Sequence, residues 1–157
     1  MLCGDIIQLV IAVIMAAGII IALCMNKGQL NVLTRQLKLN FFAEYTRRYQ
    51  QIILHFPENI NDGNFDYEKL ESDNKNRTLR YMRAYFDLCS EEYHLNSESH
   101  IDKKVWQNWS KGIEFAFSKK AFQDAWLKII QDTKYDKDFE KWINGIVGNY
   151  VKKEIEE

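Results

Sequence analysis

The chain has 157 residues, room for about one domain plus a membrane anchor. Its 21 basic residues against 22 acidic ones argue against a nucleic-acid surface, which normally presents an excess of Lys and Arg. Cys3 and Cys24 fall in the apolar N-terminal stretch, so Cys89 stands alone in the remainder; this excludes an internal disulfide there and suits a reducing compartment.

The first element is the run from Ile6 to Met25, IIQLVIAVIMAAGIIIALCM, in which Gln8 is the one clearly polar residue. At about 1.5 Å per residue it covers about 30 Å, the thickness of a hydrocarbon core. Residues 1–28 therefore read as a transmembrane anchor with its flanks, contacting the bilayer through residues 6–25. A cleaved signal peptide competes with this reading. It would begin with basic residues, and Met1 to Asp5 contains none. Lys27, Arg35 and Lys38 follow the span and no Lys or Arg precedes it, which places the N-terminus outside and the C-terminal part in the cytoplasm at a cell inner membrane.

Residues 29–157 read as a helical cytoplasmic domain. The first helix is expected from about Gln29 to Phe56, with a stripe of Leu30, Leu33, Leu37, Phe41, Tyr45, Tyr49, Ile52 and Phe56, and Pro57 ends it. Lys27 and Gly28 either separate it from the anchor or lie within one continuous stalk. Pro57 to Asn76 reads as a solvated loop, in which Asp66 is placed to cap a short helix through Glu71. A strong helix is expected over Arg77 to Leu95, then a turn over Asn96 to Ile101.

Asp102 caps the next helix, to Phe117, with Val105, Trp106, Trp109, Ile113, Ala116 and Phe117 inside. Ser118 is expected to cap a shorter one that buries Phe122, Ala125, Trp126, Ile129 and Ile130. Asp136 opens the last, which buries Phe139, Trp142, Ile143, Ile146, Val147 and Tyr150, and Lys152 to Glu157 forms a fraying tail. The fold class is thus all-α: a single-pass transmembrane helix and a compact bundle of about five amphipathic helices. The tryptophans read as core.

The segment Arg80 to Leu95 is the most informative. At 100° per residue Met82, Tyr85, Phe86, Cys89 and Tyr93 share the core face, and Arg80, Arg83, Asp87, Ser90, Glu91 and His94 lie opposite. Arg83 and Asp87 form an i,i+4 pair on the outside. Glu92 falls at the edge of the apolar arc, where an unpaired carboxylate is costly. Arg48, with Glu44 one turn earlier, supplies a partner, and a structural polar cluster of Arg48, Glu92 and Glu44 is expected. It serves either as a fold-specifying bridge or as a functional polar site.

Phe86 to Leu95 (FDLCSEEYHL), followed by Val105 to Trp109 (VWQNW), resembles a family of small uncharacterised bacterial proteins of unknown function with one N-terminal transmembrane helix and a helical cytoplasmic domain. The resemblance spans Phe41 to Trp126 and implies the same architecture; it implies no activity. Where the family pattern has a glycine before Ile-Asp, this chain has Ser99-His100.

Enzyme readings are weaker. Glu91-x-x-His94 has the spacing of a di-iron ligand pair, but no second copy exists. Arg48 and His55 have the Arg-x(4–6)-His spacing of bundle-type ribonucleases of the HEPN kind, which makes them the weak catalytic candidates; Tyr49 replaces the polar residue usual after the arginine. A His near a helix C-terminus is also favourable without any catalytic role. No Ser/His/Asp order, glycine-rich phosphate loop or metal-ligand cluster is visible, so no metal and no cofactor is expected.

Ala12, Ala16, Gly18 and Ala22 put small residues at i,i+4 spacing in the anchor, and the Leu30 to Ile52 stripe either extends into a coiled coil or packs in the bundle. Phe115 lies opposite the core face of its helix, as a docking residue or an ordinary exposed one. The expected function is a membrane-tethered helical interaction or regulatory module with a protein partner or as a homo-oligomer. The alternatives are a membrane-held ribonuclease-like or other hydrolytic effector using Arg48 and His55, and a scaffold for a larger membrane complex.

Overall fold

The computed structural model of the chain describes the backbone of residues 2–156, and the side chains of residue 4 and residues 6–150. Within this range the chain is helical, with no strand among the described residues: α1 (Leu2–Ile53), α2 (Ser72–Ser97), α3 (Lys103–Phe117), α4 (Lys120–Ile129) and α5 (Lys137–Glu156), with a short 3-10 turn at Tyr67–Lys69. The chain divides into two compact units, Met1–Thr46 and Arg47–Glu157. Cys3 and the charged tail side chains of residues 152–157 lie outside the described residues.

The first unit is one helix. The anchor and the stripe beyond it share α1 without interruption, so Lys27 and Gly28 do not break it. An interior glycine costs about 1 kcal/mol relative to alanine, and with no proline or left-handed residue beside it the helix runs on. The apolar side chains of this unit face outward, from Ile6 through Leu39 and Phe42. This helix is long and apolar enough to cross a membrane, and none of its apolar window is buried against the rest of the protein.

The second unit is a bundle around α2, which opens with the last turns of α1. After Ile53 the bonds tighten to i+3 spacing, from His55 N–H to the Ile52 carbonyl and from Phe56 N–H to that of Ile53, both 3.1 Å. Pro57 follows, whose ring disfavours a helical residue before it. The expected end at Phe56 therefore moves back three residues. α2 begins earlier than expected, at Ser72, and runs to Ser97.

Pro57 to Leu70 is not the solvated loop that its composition suggests. Ile60, Phe65 and Tyr67 are buried. The Tyr67 hydroxyl donates to the Ala121 carbonyl at 2.7 Å, and burial pushes that phenol well above its ordinary range. Asp66 caps here as expected, accepting from Glu68 N–H at 2.9 Å, although the element is the 3-10 turn.

The core is aromatic. Phe86 lies against Phe117 (5.1 Å between ring centroids) and Trp126 (5.4 Å), and Trp126 meets Phe139 edge-on (5.9 Å). Such pairs each add about 0.5–1.5 kcal/mol beyond their burial. The indole N–H of Trp126 donates to Asn144 Oδ1 at 2.9 Å, so the ring is buried without an orphaned donor. A second group, Tyr93, Trp106 and Trp142, closes the far end of α2.

Asp102 and Asp136 cap as expected, accepting from Lys104 N–H and Asp138 N–H at 2.8 and 2.9 Å. Ser118 does not cap α4. It closes α3 instead, its hydroxyl donating to the Phe115 carbonyl at 2.6 Å, and Lys119 takes the N-cap position. The backbone of α5 stays helical to Glu156 rather than fraying from Lys152.

Candidate functional site

α2 leaves the core as a Schellman turn. His100 N–H bonds the Leu95 carbonyl at 2.8 Å and Ser99 N–H bonds that of Asn96 at 3.0 Å, which puts Ser99 at a φ of 57°. Glycine is the residue best suited to that conformation.

The polar side chains along α2 meet the end of α1 and the segment before α5. Arg48 is half-buried and forms a two-pronged ion pair with Glu91, Nη1 to Oε2 at 2.6 Å and Nη2 to Oε1 at 3.0 Å. The expected Arg48–Glu92 bridge is thus made with the neighbouring glutamate. Glu91 does face away from the core of its own helix, and the long arginine reaches across to it. Glu92 is 7% exposed and feels Arg48 through charge. Glu44 belongs to the first unit.

Burial pushes the Glu92 carboxyl up to about 8; the Arg48 guanidinium pulls it down and the Glu91 carboxylate pushes it further up. Glu92 accordingly holds its proton to higher pH than an exposed glutamate does. Around it, burial raises Tyr49, Tyr85 and Cys89 as well, so none of the three supplies an anion near neutral pH. Cys89 is buried and its thiol is held protonated, the opposite of a reactive cysteine. The cluster can hold and release a proton at Glu92. It presents no activated nucleophile.

The Arg83–Asp87 pair expected along α2 is replaced by contacts to the segment before α5. Arg83 Nη2 bonds both carboxylate oxygens of Asp132, at 2.9 and 3.1 Å, and the hydrogen bond draws the Asp132 carboxyl below its ordinary range. Asp87 accepts from the Tyr135 hydroxyl at 2.9 Å.

His55 lies beyond the end of α1, its ring stacked on Tyr81 at 4.1 Å between centroids. With Phe56, Pro57, Asn74, Arg77 and Thr78 it lines an open cleft of about 410 Å³. α1 and α2 run antiparallel here, so Arg48 meets α2 at Glu91 and His55 meets it at Tyr81. Those positions are ten residues apart, about 15 Å along a helix. The two ribonuclease-type candidates thus meet α2 at different points along it.

The contacts of Tyr81 and Glu91 were not foreseeable from α2 alone. Only the direction in which the end of α1 crosses it makes them partners. Among the described residues no group of three or more His, Cys, Asp or Glu is placed to hold a metal ion. Compared with family models, curated proteins and solved structures, the chain matches none of them.

Proposed function

We propose that this chain is a membrane-tethered helical interaction module, with its N-terminus outside a bacterial inner membrane and its helical bundle in the cytoplasm. The observation that carries the reading is the apolar window of α1, none of which is buried against the rest of the protein. A core helix of a soluble protein would bury that window, and water would not tolerate it. Lys27, Arg35 and Lys38, all beyond the span, support the orientation. The resemblance of Phe86–Leu95 and Val105–Trp109 to small anchored bacterial proteins leads to the same architecture.

The near-neutral charge balance supports a protein partner over nucleic acid. The hydrolytic alternative needs Arg48 and His55 on one substrate, with Arg48 already engaged by Glu91 and His55 stacked on Tyr81.

The test uses the full chain with a C-terminal tag, made in bacteria. It is expected to stay in the membrane fraction after alkaline extraction, with the tag shielded from protease added to intact cells. In detergent it is expected to co-purify with a stoichiometric protein, its own second copy included, and to keep it in the Arg48→Ala and His55→Ala variants. Release into the soluble fraction, or a tag cut from outside, sinks the placement. A nuclease activity lost in either variant replaces this reading with the hydrolytic one.

A further inference from the structure

Past the membrane span, α1 keeps an apolar face that nothing in its own unit covers. Leu30, Leu33 and Leu37 are 61%, 52% and 60% exposed, although water rather than lipid would surround them. Their spacing of three and four continues backwards without a slip. Leu9, Ala12, Ala16, Ile19, Leu23, Asn26, Leu30, Leu33, Leu37 and Asn40 form one unbroken heptad seam, with Leu9, Ala16, Leu23, Leu30 and Leu37 at a and Ala12, Ile19, Asn26, Leu33 and Asn40 at d. A straight α-helix drifts about 20° per heptad from such a seam, so the pattern is straightened only by supercoiling against a partner.

We propose that α1 pairs with α1 of a second copy as a parallel, in-register coiled coil that runs from the span into the stalk, with Asn26 and Asn40 each meeting its own counterpart across the axis. This deepens the tethered-module reading and rests on it, since a common anchor is what holds two copies parallel and at equal depth.

The choice of a second copy rests on the polar positions of the seam. Asn26 and Asn40 are both at d, two heptads apart. A buried amide needs a donor and an acceptor opposite it, and another amide at the same height supplies both. Only a parallel copy in register provides that at both levels, and a polar seam residue is the usual device for fixing register.

Charge agrees. Like charges facing each other would oppose a homodimer, yet Arg35 and Lys38 fall at the outer f and b positions, and Lys27 at e faces Ala22 at g of the partner helix. The remaining flanking pairs, Gln29 with Thr34 and Gln36 with Phe41, are uncharged. Thr34 already spends its hydroxyl within the helix, donating to the Leu30 carbonyl at 2.8 Å.

The full chain, with Cys3, Cys24 and Cys89 replaced by Ser, carries single cysteines in native membranes and is exposed to a mild oxidant. Leu30→Cys, Leu33→Cys and Leu37→Cys are expected to give a disulfide-linked dimer of twice 18.6 kDa, because seam positions bring Cα atoms within the reach of a disulfide. Arg35→Cys and Lys38→Cys are expected to stay monomeric. The unoxidised chain in mild detergent is expected to have a dimer's mass, and Asn26→Asp with Asn40→Asp to halve it by placing like charges on the axis.

Equal cross-linking at seam and outer positions, an adduct of another mass, or a wild-type monomer in detergent overturns the proposal. Alkaline extraction of the same membranes separates the two failures. A retained protein without seam cross-links defeats the pairing alone, and an extracted protein defeats the tether.

Discussion

The two units use apolar residues in opposite ways. In the first, Ile14, Ile20 and Leu23 are each more than three-fifths exposed; in the second, Phe86, Phe117, Trp126 and Phe139 are sealed from solvent. The first unit carries aliphatic side chains around a single helix, and the second places aromatic ones on one face of each of several helices. A lone helix has no interior, so its apolar side chains need an external apolar medium. A bundle makes its own. The difference lies in where the apolar side chains go, outward from a single helix or into a core shared by several.

The sharpest way to break the comparison is to damage one unit and read both. Ile14→Arg with Ile20→Arg places two charges near the middle of the span at about 2.5–3.5 kcal/mol each. Membrane retention is expected to fall sharply while the bundle stays folded. Phe86→Ala removes a fully buried ring and is expected to destabilise the bundle by about 3–5 kcal/mol while retention is unchanged. All four tryptophans, Trp106, Trp109, Trp126 and Trp142, lie in the second unit, so tryptophan emission during urea titration of the full chain reports that unit alone. Loss of both properties in either variant would show that the units do not behave separately.

Next in size is the pH dependence at Glu92, whose carboxyl rises from 4.5 to about 8 on folding. The folded state prefers the protonated form. The stability this contributes is complete below about pH 4.5 and is lost as pH rises through about 8. Glu92→Gln keeps the shape and removes the titration. It is expected to stabilise the bundle by on the order of 1–3 kcal/mol at pH 8 and by little at pH 4.5. A Gln variant with the same pH profile as the wild type would mean that Glu92 does not titrate in this window.

The smallest effect is expected at Ser99, held at a φ of 57°. A non-glycine residue there costs about 1–2 kcal/mol, partly offset by the greater entropy glycine loses on folding. Ser99→Gly is expected to stabilise the second unit by about 0.5–1 kcal/mol, read as a higher urea midpoint at unchanged slope. No shift would mean that the Schellman turn at the end of α2 imposes no such constraint.

Much of this is legible in the sequence. The core faces of α2, α3, α4 and α5 follow from spacings of three and four, because a helix folds its own sequence into a stripe regardless of what it meets. Asp102 and Asp136 were readable as caps for the same local reason. Ile60, Phe65 and Tyr67 were not, since they lie in a non-periodic stretch rich in Asn and Asp, and their burial depends on helices elsewhere in the chain; the alternation of Phe65 and Tyr67 was the one hint. Ser118 was misplaced as the α4 cap because its hydroxyl is engaged by the α3 terminus instead.

At the candidate site the sequence by itself determined that Glu92 lies against the apolar arc of α2; the bridge expected between it and Arg48 did not point to Glu91. Tertiary structure decided that Glu91 takes both prongs of the guanidinium while burial raises the Glu92 carboxyl, and that His55 lands on Tyr81. Helical periodicity is a property of one chain segment, repeated every few residues, and is therefore written in the sequence. Which of two adjacent carboxylates a neighbour reaches depends on the crossing and register of two helices, and packing across the whole bundle sets both.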